Sequence, residues 1–210
     1  NKTGKACVIL YTSFNPGSGK TFLTMNTAAT FALKGKRVLV VDGDLRHGSA
    51  SAYLDSRAKG LSDYLGMRED DLRSLIRENP ANPNIHLLPS GTIPPNPTEL
   101  LAEPRFKDLI DQLRDQYDYI FIDCPPIDIV ADTQIIEKLA DRTLFVVRAG
   151  LLERDMLPEL QKMYDEKRFK NMALILNGTE GAGRRYGYRY GYKYGYHYGY
   201  YGGKSYYGQK

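Results

Sequence analysis

The sequence has only two cysteines, no apolar run approaching the roughly 18 residues that a bilayer span needs, and no acidic residue beyond Glu180. Each absence excludes something. Cys7 and Cys124 lie in apolar, strand-like runs without a spacing motif, so neither a disulfide framework nor a cysteine metal site is expected. Both thiols read as small core residues, which suits a reducing, cytoplasmic setting. No basic leader followed by an apolar stretch opens the chain, so no signal peptide is expected. The first residue is Asn1 rather than Met, which leaves room for a membrane anchor upstream, the chain itself being expected to be soluble.

The missing acids at the end are the most informative. Net charge is +4, yet six of the 29 Lys and Arg residues follow Gly181, leaving 23 basic against 25 acidic side chains before it. The body is therefore slightly acidic and the basic character belongs to a tail. With 42% apolar residues over 210 positions, one globular domain at 1–181 and a disordered tail at 182–210 account for the chain.

What is present in the body is an alternation. Short apolar runs at 6–11, 37–41, 85–88, 119–122, 143–147 and 173–176 read as strands buried on both faces. Helical spacing occupies 20–33, 104–116, 132–139 and 156–168. This order predicts an α/β fold, a mostly parallel sheet flanked by helices on both faces, with functional residues at the carboxyl ends of the strands. Residues 88–97 carry four prolines and read as a loop of restricted dihedrals.

The first predicted strand runs into Ser13-Phe14-Asn15-Pro16-Gly17-Ser18-Gly19-Lys20-Thr21-Phe22, which opens the first predicted helix. That context makes it a P-loop, as in the P-loop NTPases. Glycines let backbone N–H groups curl around phosphate oxygens, and the positive end of the helix adds to the field. Pro16, Gly17, Ser18, Gly19, Lys20, Thr21 and Phe22 are the expected nucleotide-binding residues, with Lys20 on the β- and γ-phosphates and the Thr21 hydroxyl on Mg²⁺. The usual leading glycine is replaced by Phe14. Two strand ends carry carboxylates: Asp42-Gly43-Asp44-Leu45-Arg46 and Asp123 after Tyr119-Ile120-Phe121-Ile122. Each alone could be a cap or turn residue. Together with a P-loop, Asp42, Asp44 and Asp123 imply a cation among them, and ATP or ADP with Mg²⁺ is the expected ligand set.

These motifs, with Asp123-Cys124-Pro125-Pro126 and the segment Pro94-Pro95-Asn96-Pro97-Thr98-Glu99-Leu100-Leu101, resemble the bacterial tyrosine kinases across essentially the whole chain. The related Min and Par ATPases carry a second lysine where Asn15 stands; its absence here argues against them and fits the kinases, and a Par- or Min-like ATPase switch with a basic nucleic-acid- or membrane-contacting tail is the alternative reading. Many of the kinases have Glu at the position of Ser18; little consequence is expected, because backbone groups do the cradling. The resemblance implies catalytic roles for Lys20, Asp42, Asp44 and Asp123: Asp42 as base for the tyrosine hydroxyl, and Thr21, Asp44 and Asp123 at the metal. Asn177 stands where related proteins contact adenine, with a strand-end turn residue as the other reading, and Arg148 is a further candidate at that edge. The resemblance also implies a homo-oligomer, a ring in the family. The family's arginine-containing oligomerisation motif lies upstream of the first strand, ahead of Asn1. A transmembrane polysaccharide co-polymerase segment, a cognate tyrosine phosphatase and a place at the cytoplasmic face of the inner or plasma membrane complete the expectation.

The tail repeats Tyr-Gly-Tyr-x four times from Tyr186. Glycine at every fourth position and the lack of aliphatic residues predict a flexible C-terminal tail. Eleven tyrosines fall here: Tyr186, Tyr188, Tyr190, Tyr192, Tyr194, Tyr196, Tyr198, Tyr200, Tyr201, Tyr206 and Tyr207. The resemblance makes them phosphoacceptors, modified largely between neighbouring subunits. Residues 182–210 fully extended would span on the order of 90 Å. Nucleic-acid contact, since Tyr alternating with basic residues can stack bases, and an inert extension are the other two readings of the tail. No nucleic acid is expected as a partner.

Overall fold

The computed structural model describes residues 4–48, 50, 59–127 and 131–179. The tail at 182–210, with its eleven candidate acceptor tyrosines and its expected flexibility, lies outside the described residues. Residues up to Thr179 form one compact unit.

Seven strands make one sheet: β1 Cys7–Thr12, β2 Val38–Asp42, β3 Arg77–Asn79, β4 Asn82–Leu88, β5 Tyr119–Asp123, β6 Arg142–Arg148 and β7 Met172–Asn177, in the order β3-β4-β2-β5-β1-β6-β7. All neighbours are parallel except the short β3, which pairs antiparallel with β4 and shifts register at Glu78/Asn79. The expected parallel α/β sheet is what the chain forms.

Both faces are covered, and this is why the central strands read as unbroken apolar runs. On one face Val8, Leu10, Leu39, Val41, Ile120 and Ile122 pack against helices α2 Leu61–Leu65, α4 Pro97–Ala102, α5 Pro104–Leu113 and α6 Asp132–Glu137. On the other, Tyr11, Val38, Val40, Phe121 and Val146 meet Ala28 and Ala32 of α1 Lys20–Leu33. The alternation of strand residues between the two clusters is the period-two geometry of a pleated strand. Helix α3 is the single turn Leu72–Leu75, started by Asp71 accepting from the Arg73 amide. Helix α7 Leu157–Asp165 follows a 3-10 turn at Arg154–Met156 and joins Phe14, Phe145 and Phe169 in a third cluster.

One expectation is corrected. Strand β7 is an edge, not a strand buried on both faces: Leu174 and Leu176 are 57% and 62% exposed. An apolar run cannot distinguish an edge strand from a central one, because the neighbour that would cover it is not encoded locally. The predicted helices at 104–116, 132–139 and 156–168 end earlier, at Leu113, Glu137 and Asp165. No helix among the described residues is long and apolar enough to cross a membrane.

Strand order places the site. From β1 the chain crosses to β2, leaving a gap that β5 fills, and from β5 it crosses past β1 to β6. The carboxyl ends of β1, β5 and β2 therefore lie side by side at a switch in winding direction, where open α/β sheets bind ligands.

Candidate nucleotide and phosphoryl-transfer site

Strand register aligns the acidic residues. Asp42 and Asp123 are partners at the ends of β2 and β5, and Tyr11 is the partner of Asp123 on the other side. The phosphate loop leaves β1 one residue later. It turns on two glycines with positive φ, Gly17 at 73° and Gly19 at 92°, a region where a side chain is strained. A Cβ on Gly19 would also collide with Asn177 Nδ2. Gly19→Ala is expected to destabilise the fold by at least about 1–2 kcal/mol from dihedral strain alone. Nucleotide affinity should fall with it. Denaturant midpoint and nucleotide titration on the same sample check this.

The loop is braced from inside and out. Ser13 Oγ and Ser18 Oγ both donate to the Asn15 carbonyl, at 2.7 and 2.8 Å. Thr12 Oγ1 and Thr133 Oγ1 donate to the Pro125 carbonyl, and the Cys124 and Ile127 amides donate to Tyr11 and Ser13. These bonds explain the Asp-Cys-Pro-Pro segment: it fastens the end of β5 to the start of the loop. Phe14, the departure from the usual leading glycine, is a buried anchor whose ring lies edge-on to Phe145 with centroids 5.0 Å apart. Pro16 is exposed at the loop tip.

Helix α1 begins at Lys20 with no side-chain cap and no acid in its first turn, so its leading amides and dipole are available to an anion. Lys20 is buried, with Nζ donating to Ser13 Oγ at 3.1 Å. Burial holds its pKa below the ordinary lysine value, against the pull of Asp123 and Asp44. Thr21 Oγ1 donates to Asp123 Oδ2 at 2.5 Å. The other oxygen, Asp123 Oδ1, is buried without a partner. Burial pushes the Asp123 pKa up to about 7; Asp42 and Asp44 add to the rise, while the Thr21 bond and Lys20 oppose it.

Asp42 is fully buried and Asp44 nearly so. The loop after β2 closes on them. The Asp44 amide donates to Asp42 Oδ1 at 3.2 Å, and the Arg46 and His47 amides donate to Asp44 Oδ1 at 3.1 and 3.0 Å. The Gly43 amide ties the same loop to the Asp123 carbonyl. Asp44 is thus a turn-capping residue as well as a candidate ligand. The three carboxylates do not form a cage: among the described residues no group of three His, Cys, Asp or Glu side chains is arranged to hold a metal alone. This narrows the expectation that the acidic set implies the ion. What fits Mg²⁺ is Thr21 with Asp123, whose unpartnered oxygen a cation would satisfy. An octahedral Mg²⁺ would complete its shell from phosphate oxygens and water.

Arg148 and Asn177, at the ends of β6 and β7, both reach the loop. Arg148 Nη1 donates to the Gly17 carbonyl at 2.7 Å and Asn177 Nδ2 to the Ser18 carbonyl at 2.9 Å. Phe22, 58% exposed, stands beside Thr21 on α1. The sequence reading missed one constellation: Arg46, Thr98 and Asp132 hydrogen-bond in a closed triangle behind the Asp44 loop. The motifs that contain Arg46 and Thr98 were visible, but nothing local joined them to Asp132.

The family described as "AAA domain" matches residues 6–171. The chain is 35% identical over 185 residues to the tyrosine-protein kinase CpsD of Streptococcus pneumoniae, covering 87% of this chain and 81% of CpsD. Among solved structures, the kinase domain of the Escherichia coli tyrosine kinase ETK superposes with a TM-score of 0.77 at 30% identity, over 91% of this chain and 74% of that one. The septum site-determining protein MinD of Pyrococcus horikoshii, solved with Mg-ADP, is similar at a TM-score of 0.66, over 81% of this chain and 70% of MinD. At 24% identity that likeness shows the fold alone. Taken with the P-loop and its aligned carboxylates, the relatives settle the family: the chain belongs to the bacterial tyrosine-protein kinases.

Proposed function

We propose that this chain transfers the γ-phosphate of Mg-ATP to tyrosine and that its acceptors are the tyrosines of its own tail, largely those of a neighbouring copy. The observation that carries the reading is the register pair Asp42–Asp123, which sets two buried carboxylates beside Lys20 and Thr21 at the mouth of the phosphate loop. A nucleotide switch needs the cradle; a kinase also needs an acceptor and a group to take its proton. The eleven tyrosines from 186 to 207 supply the first and Asp42 the second.

In this mechanism the amides of residues 17–22 and the Lys20 ammonium hold the β- and γ-phosphates. Thr21 and Asp123 would hold Mg²⁺, with Asp44 assisting, and the bound ion would supply charge neutralisation at the phosphate oxygens. A tail phenol oxygen attacks the γ-phosphorus as the bond to the β–γ bridging oxygen breaks, ADP departs, and the phenolic proton passes to Asp42. Tyrosine's pKa near 10 makes a placed carboxylate useful, although a loose transition state asks little of base strength. Positioning and charge neutralisation supply most of the acceleration. Arg148 and Asn177 are proposed to turn toward adenine when nucleotide is bound.

The family's wider setting is proposed with it: a homo-oligomer, a transmembrane co-polymerase segment, a cognate phosphatase, control of capsular or exopolysaccharide synthesis and export, and the cytoplasmic face of the membrane. Each phosphate adds about −1.5 to −2 charges, so four or more would cancel or reverse the six positive charges of the tail. Replacing all eleven tail tyrosines with Phe should leave nucleotide affinity within about twofold and remove phosphate incorporation. Radiolabel from the γ-position then partitions to free phosphate or stays on ATP. Continued labelling of the variant's protein band would sink the tail as acceptor.

A further inference from the structure

Arg46, Thr98 and Asp132 come from three separate segments: the loop after β2, the first turn of α4 beyond the proline-rich loop, and the first residue of α6. Asp132 is fully buried and both of its oxygens are engaged. Arg46 Nε donates to Oδ2 at 3.0 Å and Thr98 Oγ1 donates to Oδ1 at 2.6 Å. The same Thr98 hydroxyl accepts from Arg46 Nη2 at 2.9 Å. One hydroxyl thus uses its single proton on the carboxylate and a lone pair on the guanidinium, a set that Ser can reproduce and Val cannot. Neither Thr98 nor Asp132 hydrogen-bonds to residues 13–21, among the described residues. Their route to the site runs through Arg46, whose backbone amide donates to Asp44 Oδ1.

We infer that Thr98 and Asp132 are positioning residues for phosphoryl transfer, a latch that holds Arg46 and so fixes the 43–48 turn that carries Asp44, whose amide donates to Asp42 Oδ1. This rests on the kinase reading. The physical case is rigidity: the turn's own bonds are local, and a six-residue turn of this kind can tilt as a unit unless something outside it grips a side chain. A buried carboxylate with both oxygens satisfied is such a grip, because moving Arg46 would leave that charge unpaired. The latch also joins the proline-rich loop's helix to the acidic loop, which gives the Pro94–Leu101 segment a role beyond that of a connector.

The test compares Thr98→Val, Thr98→Ser and Arg46→Lys with the parent chain, using the rate of tyrosine phosphorylation and, separately, the affinity for Mg-ADP. A misplacement of about 1 Å in a reacting group costs on the order of 100-fold in rate. Thr98→Val should therefore lower kcat about 10- to 100-fold with KM for Mg-ATP and nucleotide affinity within about twofold, and Thr98→Ser should restore at least a third of the parent rate. Arg46→Lys keeps the charge but loses the fork that spans Asp132 and Thr98, so it should repeat the kcat loss even if Thr98→Val does not fold. Equal rates for the parent and both Thr98→Val and Arg46→Lys would overturn the latch. So would equal losses in Val and Ser, which would mean packing rather than the hydroxyl, or a loss confined to KM. If the parent chain itself phosphorylates no tyrosine, the kinase reading is what fails; if the parent is active and the variants match its rate, the latch alone fails.

Discussion

Replacing Lys20 with methionine is expected to lower phosphoryl transfer by at least about 10³-fold while leaving the fold intact. The position is 9% exposed, and methionine fills much the same stem volume without the ammonium group. The lysine is a buried cation whose pKa burial lowers, with Ser13 Oγ as its hydrogen-bond partner and Asp123 and Asp44 as its electrostatic supports. Removing it relieves desolvation but leaves the γ-phosphate without its nearest positive side chain. Thermal midpoint should be unchanged or higher without ligand, and the stabilisation given by Mg-ATP should shrink. Scanning calorimetry with and without Mg-ATP, alongside the transfer rate, separates this from simple unfolding. A variant that unfolds early in both conditions would show that Lys20 holds the loop rather than the phosphate.

The second large effect concerns Asp123, where stability and function oppose each other. Its folded-state pKa, pushed to about 7 by burial, lies above the usual carboxyl value, so the folded chain binds a proton that the unfolded chain releases between about pH 4 and 7. The stability tied to this group is fully present below the unfolded pKa and is lost as pH rises through 7. Asn at this position carries no charge and can still accept from Thr21. Asp123→Asn should therefore match the parent near pH 4 and become more stable by up to about 4 kcal/mol at pH 8, in metal-free buffer. With Mg-ADP the order should reverse, because only the carboxylate offers the cation an anionic oxygen. Phosphoryl transfer should be lost. Chemical denaturation at pH 4.5 and 8, with and without Mg-ADP, checks the sign; a stability difference independent of pH would contradict the origin given to the shift.

The site is also legible from sequence. A carboxylate buried at the end of an apolar strand stands out as an interruption of the pattern. The phosphate loop was equally visible, since Gly17 and Gly19 occupy positive φ and Lys20 opens a helix at the residue where the spacing starts one. Six of the seven strands follow from apolar runs, the central ones because both of their faces are buried.

What the sequence hid falls into two kinds. Helices α2 and α3 and strand β3 hold only five, four and three residues, too few for any period to appear. They exist because tertiary contacts hold them; α2, for example, is pinned where the Leu61 and Ser62 amides donate to Pro89 and Ser90. The second kind is partnership across long separations. Arg46 and Asp132 lie 86 residues apart, and no local signal says that the helix start at Asp132 is the buried anchor of the acidic loop. The exposure of β7 belongs here too, because an edge is defined by a neighbour that is absent from the sheet. Helix α4 sits between the kinds. Its Pro97 is a favourable first helical residue, yet the cluster of prolines before it reads as loop.

The proposed function makes the tail the acceptor, so the decisive measurement is the mass of the intact chain after incubation with Mg-ATP. The account predicts successive increments of about 80 Da, one per phosphate, which map by fragmentation to tyrosines between 186 and 207 and vanish in Lys20→Met. Free phosphate released at a comparable rate with no gain in protein mass would contradict it and leave an ATPase switch in its place.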